Sequence, residues 1–452
     1  MRQKKESVLP VRWNDEALPL PVKVYRAKYR AISQVLDRCP EILDRIHEDL
    51  RKLSKGGRRG REGDFTSENI LRALLVQSIE GLSYREAVVR IAESEFLQDF
   101  LRMRKKQVMD HSFLNKCFKA VRPETWKTVN ELLAQDAVCR DLIDTATIRT
   151  DTTVVETNIH YPTDASLLWD TWRVASRWLG RARKIEPSSC RHRFHDRKIK
   201  RLYLFITRYA ISKSKSRRRQ VKAAFRALIE RVEWIVAIAG EFCDASRSSS
   251  NLELAGVALE LQSFLPSMRT VAATSRRAQL EGEKVPARER VFSIFEPHTE
   301  LLKRGKRQKP TEFGHKVLLC ETPEKFITDY EVYEKQEADC ALTESVIRRH
   351  KALFGKTPEV LAGDMGFCPT AEKFAELEEL VGTLAIPRRL RDFANKVLAK
   401  WQAFRAGIEG TISGLKRVFR LIRCFFRGFK SFSSAVGLGV FCHNLIVLAG
   451  SS

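Results

Sequence analysis

The chain has 452 residues, 43% hydrophobic and 30% charged, enough for two or three domains and a sizeable core. Ten scattered cysteines include no Cys-x-x-Cys pair, which argues against a zinc ribbon or a disulfide framework and fits a reduced cytoplasm. The net charge of +25 points to a polyanion such as nucleic acid.

That charge is clustered. Arg173 to Arg231 holds 20 Lys/Arg against 3 Asp/Glu, and Pro387 to Lys430 holds 12 against 2. The remainder is close to neutral, so two basic regions read as binding surfaces. The start, Met1 to Lys5, is basic without a following apolar run, so no signal peptide is expected. The last apolar stretch, Leu438 to Leu448, is too short to span a bilayer and contains His443 and Asn444. No membrane partner is expected.

Residues 1–64 form an N-terminal segment. Pro10, Pro19 and Pro21 argue for an irregular start, a helical pattern covers Ala31 to Leu53, and Ser54 to Gly63 reads as a flexible basic linker. Residues 65–140 read as all-helical. Thr66 or Ser67 caps a helix carrying Ile70, Leu71, Leu74 and Leu75, and Ser83 with Glu86 forms a capping box after Gly81. Helix, glycine turn and capped helix fit a helix-turn-helix and fit a small helical bundle equally well. A further cap falls at Asp110 to Ser112, and His111 reads as structural.

Ile148 to Pro162 is dominated by β-branched residues and predicts one strand, or two joined by a tight turn. Asp151 stands in it where a core strand should be apolar. A carboxylate there must be paired or must bind something positive. Residues 165–286 then switch to a basic helical insertion. Leu167, Leu168, Trp169, Trp172, Val174 and Trp178 predict a buried aromatic face, and Arg217, Arg218 and Arg219 lie on a basic helix. Cys190, His192, His195 and Asp196 sit close in sequence, either as metal ligands or, with more weight, as loop residues near phosphate. Tyr203, Phe205 and Tyr209 suit base stacking, but their near-helical spacing favours core.

Strands are expected at Arg290 to Phe295, Phe313 to Cys320 and Phe326 to Tyr333, with a basic loop at Lys303 to Lys309 that includes Lys306 and Arg307. A helix from Glu337 to Phe354, a short strand from Glu359 to Gly363, a helix from Ala371 to Val381 and a strand from Gly382 to Ile386 follow. This order predicts a mixed α/β sheet. Asp364 closes the Glu359 strand at its carboxyl end, where open α/β sheets place their sites. A single helix is expected beyond it. Ile408, Ile412, Leu415, Phe419 and Ile422 form its apolar stripe, and Arg405, Glu409, Lys416, Arg420 and Arg423 a polar one. An i, i+4 salt bridge from Arg405 to Glu409 is the plainer account of that acid. Three acids on two strands and a helix also suit a pair of divalent ions.

Three motifs in order carry a family resemblance. Arg149-Thr-Asp-Thr-Thr-Val-Val-Glu-Thr-Asn-Ile-His-Tyr-Pro-Thr-Asp164 resembles the first-aspartate strand of DDE transposases from bacterial insertion sequences, nearest the ISNCY-type group. Ala362-Gly-Asp-Met-Gly-Phe367 resembles their second-aspartate motif. Arg405, Glu409 and Lys416 match the R-x3-E-x6-K part of a Y-R-E-K signature, whose tyrosine position is Gln402 here, flanked by Trp401 and Phe404.

The resemblance implies a ribonuclease-H-like catalytic domain over 141–164 and 287–452, interrupted by the insertion. It implies Asp151, Asp364 and Glu409 as catalytic ligands of Mg²⁺ or Mn²⁺, with Arg405 and Lys416 on phosphates at the transposon end. Arg420, Lys306, Arg307, Arg217, Arg218 and Arg219 are further expected DNA contacts, and His315 and Asp164 stand as supporting residues only. The implied activity is strand cleavage followed by strand transfer, by a homodimer on paired DNA ends in the bacterial cytoplasm. A DNA-binding regulator without chemistry and a structure-specific nuclease on the same fold are the alternatives.

Overall fold

Proline starts the first helices of this chain. The computed structural model describes residues 2–6, 13–53, 65–103, 108–247, 249–303, 310–389 and 396–450. Helix α1 (Leu20–Arg38) has Pro19 as its N-cap and Pro21 in its first turn, and α2 (Pro40–Arg51) begins on Pro40. A first-turn proline costs nothing, because its missing N–H would be unpaired there anyway. The helical pattern expected from Ala31 is therefore two helices beginning at Leu20. The basic linker at Ser54 to Gly63 and the candidates Lys306 and Arg307 lie outside the described residues.

The cap chemistry read from sequence is in place. Thr66 and Asn69 cap α3 (Ser67–Ile79) reciprocally, Ser83 and Glu86 form the box of α4 (Tyr84–Glu93), and Asp110 caps α6 (His111–Ala120) after the short α5 (Glu95–Phe100). Helix α3 is buried almost throughout, while α4 buries only Ala87 and Ile91. Helix α7 (Pro123–Cys139) leads into β1 (Thr147–Thr157), which is one continuous strand.

Two compact units follow from the chain's contacts: residues 1–157 with 314–452, and residues 158–313. In the second unit, α8 (Asp164–Ile185), α9 (Asp196–Tyr209), α10 (Lys215–Ala245) and α11 (Leu252–Arg276) surround a core that includes Trp172, Leu179, Val232 and Leu261. Strand β2 (Glu300–Lys303) closes this unit. No strand forms at Arg290 to Phe295. There the Ser293 hydroxyl accepts from the Phe295 and Glu296 amides, a side-chain turn that replaces ladder bonding.

The first unit holds the mixed sheet. Strand β1 is antiparallel to β3 (Thr311–Glu321), with Asp151 opposite Leu319, and β3 is antiparallel to β4 (Ile327–Tyr333). After α12 (Asp339–Phe354) comes β5 (Val360–Ala362), parallel to β1 with Arg149 opposite Ala362. Helix α13 (Ala371–Val381) then leads to β6 (Thr383–Ala385), parallel to β5. Among these five strands the neighbours run β4-β3-β1-β5-β6, with the Asp151 strand in the middle.

Ile148, Leu318 and Cys320 pack with residues of α12 and α13 on one face. Val155, Val317 and Leu319 share the main core with α1 to α7 and with the final helix, α16 (Phe429–Gly450). Helix α16 is the one helix among the described residues long and apolar enough to cross a membrane, and 72% of its apolar window is buried inside this unit. It begins well before Leu438, and its buried Asn444 bonds both the amide and the carbonyl of Ile327 at 2.9 and 2.8 Å.

Burial on α12 pushes the His350 imidazole down to about 4 from 6.5. The unfolded chain then binds a proton that the folded one refuses. This group's contribution to stability is fully present above pH 6.5 and lost as the pH falls toward about 4. Urea unfolding across that window should show the loss, and His350→Phe should flatten it.

Candidate active site

Asp151 and Asp364 are neighbours because β1 and β5 run parallel. The last register pair is Arg149 with Ala362, and each aspartate lies two residues beyond its member. The Asp364 Oδ1 accepts from the Gly366 amide at 2.9 Å, which caps the tight turn Met365–Phe367 and fixes the carboxylate at the strand's carboxyl end.

The third acid arrives on a broken helix. The single helix expected over Arg405 to Arg423 is α14 (Lys396–Ala406) followed by α15 (Ile408–Arg417). A Cβ on Gly407 would collide with the Arg149 guanidinium and meet the Phe404 carbonyl oxygen at 3.2 Å. Arg149 is buried. Its Nε donates to Glu321 Oε2 at 2.9 Å, and its Nη1 donates to the Phe404 carbonyl at 2.8 Å. Thr411 on α15 donates to the other oxygen of Glu321 at 2.6 Å. One buried ion pair thus ties β1 and β3 to both helices, and the break at Gly407 makes room for it. Ile408 and Leu415 are buried as the apolar stripe requires. Phe419 to Arg423 lie beyond the helix: Arg420 has a left-handed φ of 56°, and Arg423 belongs to the short strand β7 (Arg423–Cys424) beside β1.

The three acids meet on one cation. Arg405 Nη2 lies 2.6 Å from Asp151 Oδ2 and 3.9 Å from Asp364 Oδ2, and its Nη1 lies 3.2 Å from Glu409 Oε1. The two aspartate oxygens share a nitrogen at 2.6 and 3.9 Å, so they are at most 6.5 Å apart. Exposure grades across the trio. The side chain of Asp151 is 9% exposed, that of Asp364 42% and that of Glu409 67%. The i, i+4 bridge from Arg405 to Glu409 is real, and it is part of the constellation. Lys416 follows Glu409 on the same face of α15. Among the described residues no group of three His, Cys, Asp or Glu is arranged as a ready metal site.

Gln402 was legible only as a departure from the signature. Its Nε2 donates to the carbonyls of Gly363 at 3.0 Å and Ala385 at 3.1 Å, so it ties α14 to the carboxyl ends of β5 and β6. Arg149 and Glu321 were not singled out at all, although an arginine and a glutamate in two core strands signal a buried pair.

The other candidates separate from this site. The buried His315 bonds the Tyr333 carbonyl at 3.0 Å and stacks edge-on with Phe429 and Phe432. Asp164 lies in the second unit and accepts from Arg290 and Gln279. There too Cys190, His192, His195 and Asp196 form no metal site. Asp196 accepts from the Trp172 indole at 2.8 Å and His192 packs on Trp234. Tyr203 stacks on Trp169, and Phe205 and Tyr209 pack together. Arg217 lies over Tyr209 at 4.2 Å, Arg218 donates to the Ser212 carbonyl, and Arg219 is exposed, all at the start of α10.

Residues 22–120 match the family model described as Transposase domain (DUF772), and residues 296–445 match that described as Transposase DDE domain. The chain belongs to the DDE transposases of insertion sequences. It is therefore an enzyme of DNA cleavage and strand transfer, with DNA as its partner. Comparison with curated proteins and with solved structures finds no match. Enzymes of this family use divalent metal ions. The transposase's oxygen-only trio, already wrapped round a positive charge, has the hard donors such ions prefer.

Gly407→Ala should displace Arg149 from its pocket. Overpacking of this kind costs roughly 1–3 kcal/mol. A thermal melt should show that loss, and Gly407→Ser should be at least as harmful.

Proposed function

We propose that this transposase binds the terminal repeats of its own insertion sequence, cuts the donor strand there and joins the freed 3′-hydroxyl to target DNA. The observation that carries the proposal is the meeting of Asp151, Asp364 and Glu409 on the single Arg405 guanidinium. Three carboxylates around one point repel one another unless a cation sits among them. Sheet order and strand directions support a ribonuclease-H-like reading of the first unit.

Asp151, Asp364 and Glu409 would hold Mg²⁺ or Mn²⁺. Bound there, such ions supply charge stabilisation at phosphorus and an activated water or hydroxyl. The chain's own groups do the rest. Asp151 is held low in the site by its burial, while the exposed Glu409 can adjust to substrate. Arg405 keeps the acids together before DNA arrives and then turns to a phosphate, and Lys416 contacts a second phosphate along α15. Arg217, Arg218 and Arg219 gather at the amino end of α10, where the helix dipole already disfavours cations. Such an arrangement is relieved by a phosphate backbone. Two copies of the chain on paired ends, in the cytoplasm, complete the reading.

Asp151→Asn, Asp364→Asn and Glu409→Gln should each lower cleavage of the cognate terminal repeat by about 1000-fold or more, as losing several kcal/mol of metal stabilisation requires. Binding to that repeat in a gel-shift assay should persist in all three. Chelation should stop cleavage by the wild-type chain, and added Mn²⁺ should restore it. Full cleavage by Asp364→Asn would end the assignment. Nicked DNA with no joined product would favour a plain nuclease, and binding without any cleavage a regulator.

A further inference from the structure

A groove of about 740 Å³ opens in the first unit, between the α3–α4 turn, the segment from Phe419 to Arg427, and α16. It belongs to none of the three acids. Its wall is aromatic: the Phe426 ring lies 4.3 Å from that of Phe118 and 6.0 Å from that of Tyr84. Phe425 also lines the groove and is 68% exposed, an unusual position for a large apolar ring.

Lys119, Arg420, Arg423 and Arg427 line the same groove, and no acidic residue does among those described. Arg423 pairs with Glu156 at 3.0 Å. Lys119, Arg420 and Arg427 are exposed and carry no ion pair among the described residues. Glu86 feels the charge of Arg420 without forming a bridge to it.

The backbone is bent to build this place. Arg420 takes a left-handed φ of 56°, rare for a residue with a side chain. Gly81 in the facing turn has φ 58°, and a Cβ there would meet the Val418 carbonyl oxygen at 3.0 Å. The two turns therefore approach closely beside the groove. The lining is also tied to the catalytic strand, because Arg423 and Cys424 pair with Glu156 and Thr157 of β1. Glu156 lies five positions along the strand from Asp151, roughly 17 Å at the usual rise.

An exposed aromatic ring set among unpaired cations suits a single nucleic-acid strand. A ring offers a face for a base, and the cations take the phosphates on either side. A duplex cannot use the ring, because its base faces are already covered. A neutral peptide would leave three cations unanswered.

We propose that this groove is a second DNA site, which takes unpaired nucleotides with a base against Phe425 and phosphates on Lys119, Arg420 and Arg427. It rests on the reading of DNA as substrate, but not on the three acids.

The test uses the full chain in chelator, so that nothing is cut. The probes are an oligothymidylate of about 12 nucleotides, within the span such sites cover, carrying 5-iodouracil, and the same strand paired with oligoadenylate. Irradiation of the single strand should crosslink within residues 419–427, as mapped by mass spectrometry, and the duplex should not. Phe425→Ala should abolish that crosslink and weaken single-strand binding at least about fivefold, the low end for loss of one stacked base. It should leave duplex binding unchanged. Phe425→Tyr should restore both signals, and Glu409→Gln should leave the crosslink as it is. Crosslinks confined to other segments, an equal yield from the duplex, or equal weakening of both probes by Phe425→Ala would overturn the groove's assignment alone. A wild-type chain that binds neither probe would overturn the DNA reading with it.

Discussion

Three carboxylates cannot share a small volume without a positive charge among them. In this chain the charge is the Arg405 guanidinium, which reaches Asp151, Asp364 and Glu409 at once. The constraint explains much of the surrounding structure. The arginine must come from a helix that lies against the carboxyl ends of the parallel strands. The third acid must follow it by about one turn, so that both project the same way. The trio is assembled around one positive charge that only partly offsets three negative ones, and a ligand with more positive charge would have to compete with Arg405 for it. Mutual repulsion among the acids becomes available to such a competitor as soon as the guanidinium leaves.

The second constraint lies beneath the first. Arg149 and Glu321 form a buried pair between adjacent antiparallel strands, and buried pairs cost desolvation that their attraction only partly offsets. Such a pair is a poor source of stability. Here it sets position: the guanidinium binds the end of α14, and the carboxylate receives the Thr411 hydroxyl of α15. Both helices that carry site residues are thereby registered against the strands that carry the aspartates. Gln402 adds a third attachment, at the Gly363 and Ala385 carbonyls. A tyrosine could not donate to two carbonyls at once, so the substitution changes how α14 is held.

Much of this was readable from residues alone. Local chemistry is what sequence expresses best, and the caps at Thr66, Ser83 and Asp110 are local. So is the β-branched run around Asp151, and so are the short apolar strands that bracket Asp364. The readings that failed were those a distant contact decides. Between residues 405 and 423 the sequence offers three glycines, Gly407, Gly410 and Gly414, and what selects Gly407 as the break is Arg149, far away in the chain. Nothing in Arg290 to Phe295 distinguishes a strand from a serine-stabilised turn, since β-branched and aromatic residues suit either. The first helix escapes the sequence for another reason: Pro19 and Pro21 suit an irregular segment and a helix start equally well.

The distribution of positive charge gives the last step. A protein that needed only solubility would spread its cations and pair many of them. In residues 173–231 the only ion pair between described residues is Arg173 with Asp170, though the stretch carries 20 Lys/Arg. In residues 387–430 the pairing is selective. Arg405 and Arg423 hold acids, while Arg420 and Arg427 are left beside the exposed Phe425 ring. Unpaired cations repel one another and cost stability at low salt. Their retention on rigid elements is understandable where a polyanion supplies the missing charge, and binding to that polyanion must then weaken as salt rises, because bound counterions are released with each phosphate contact.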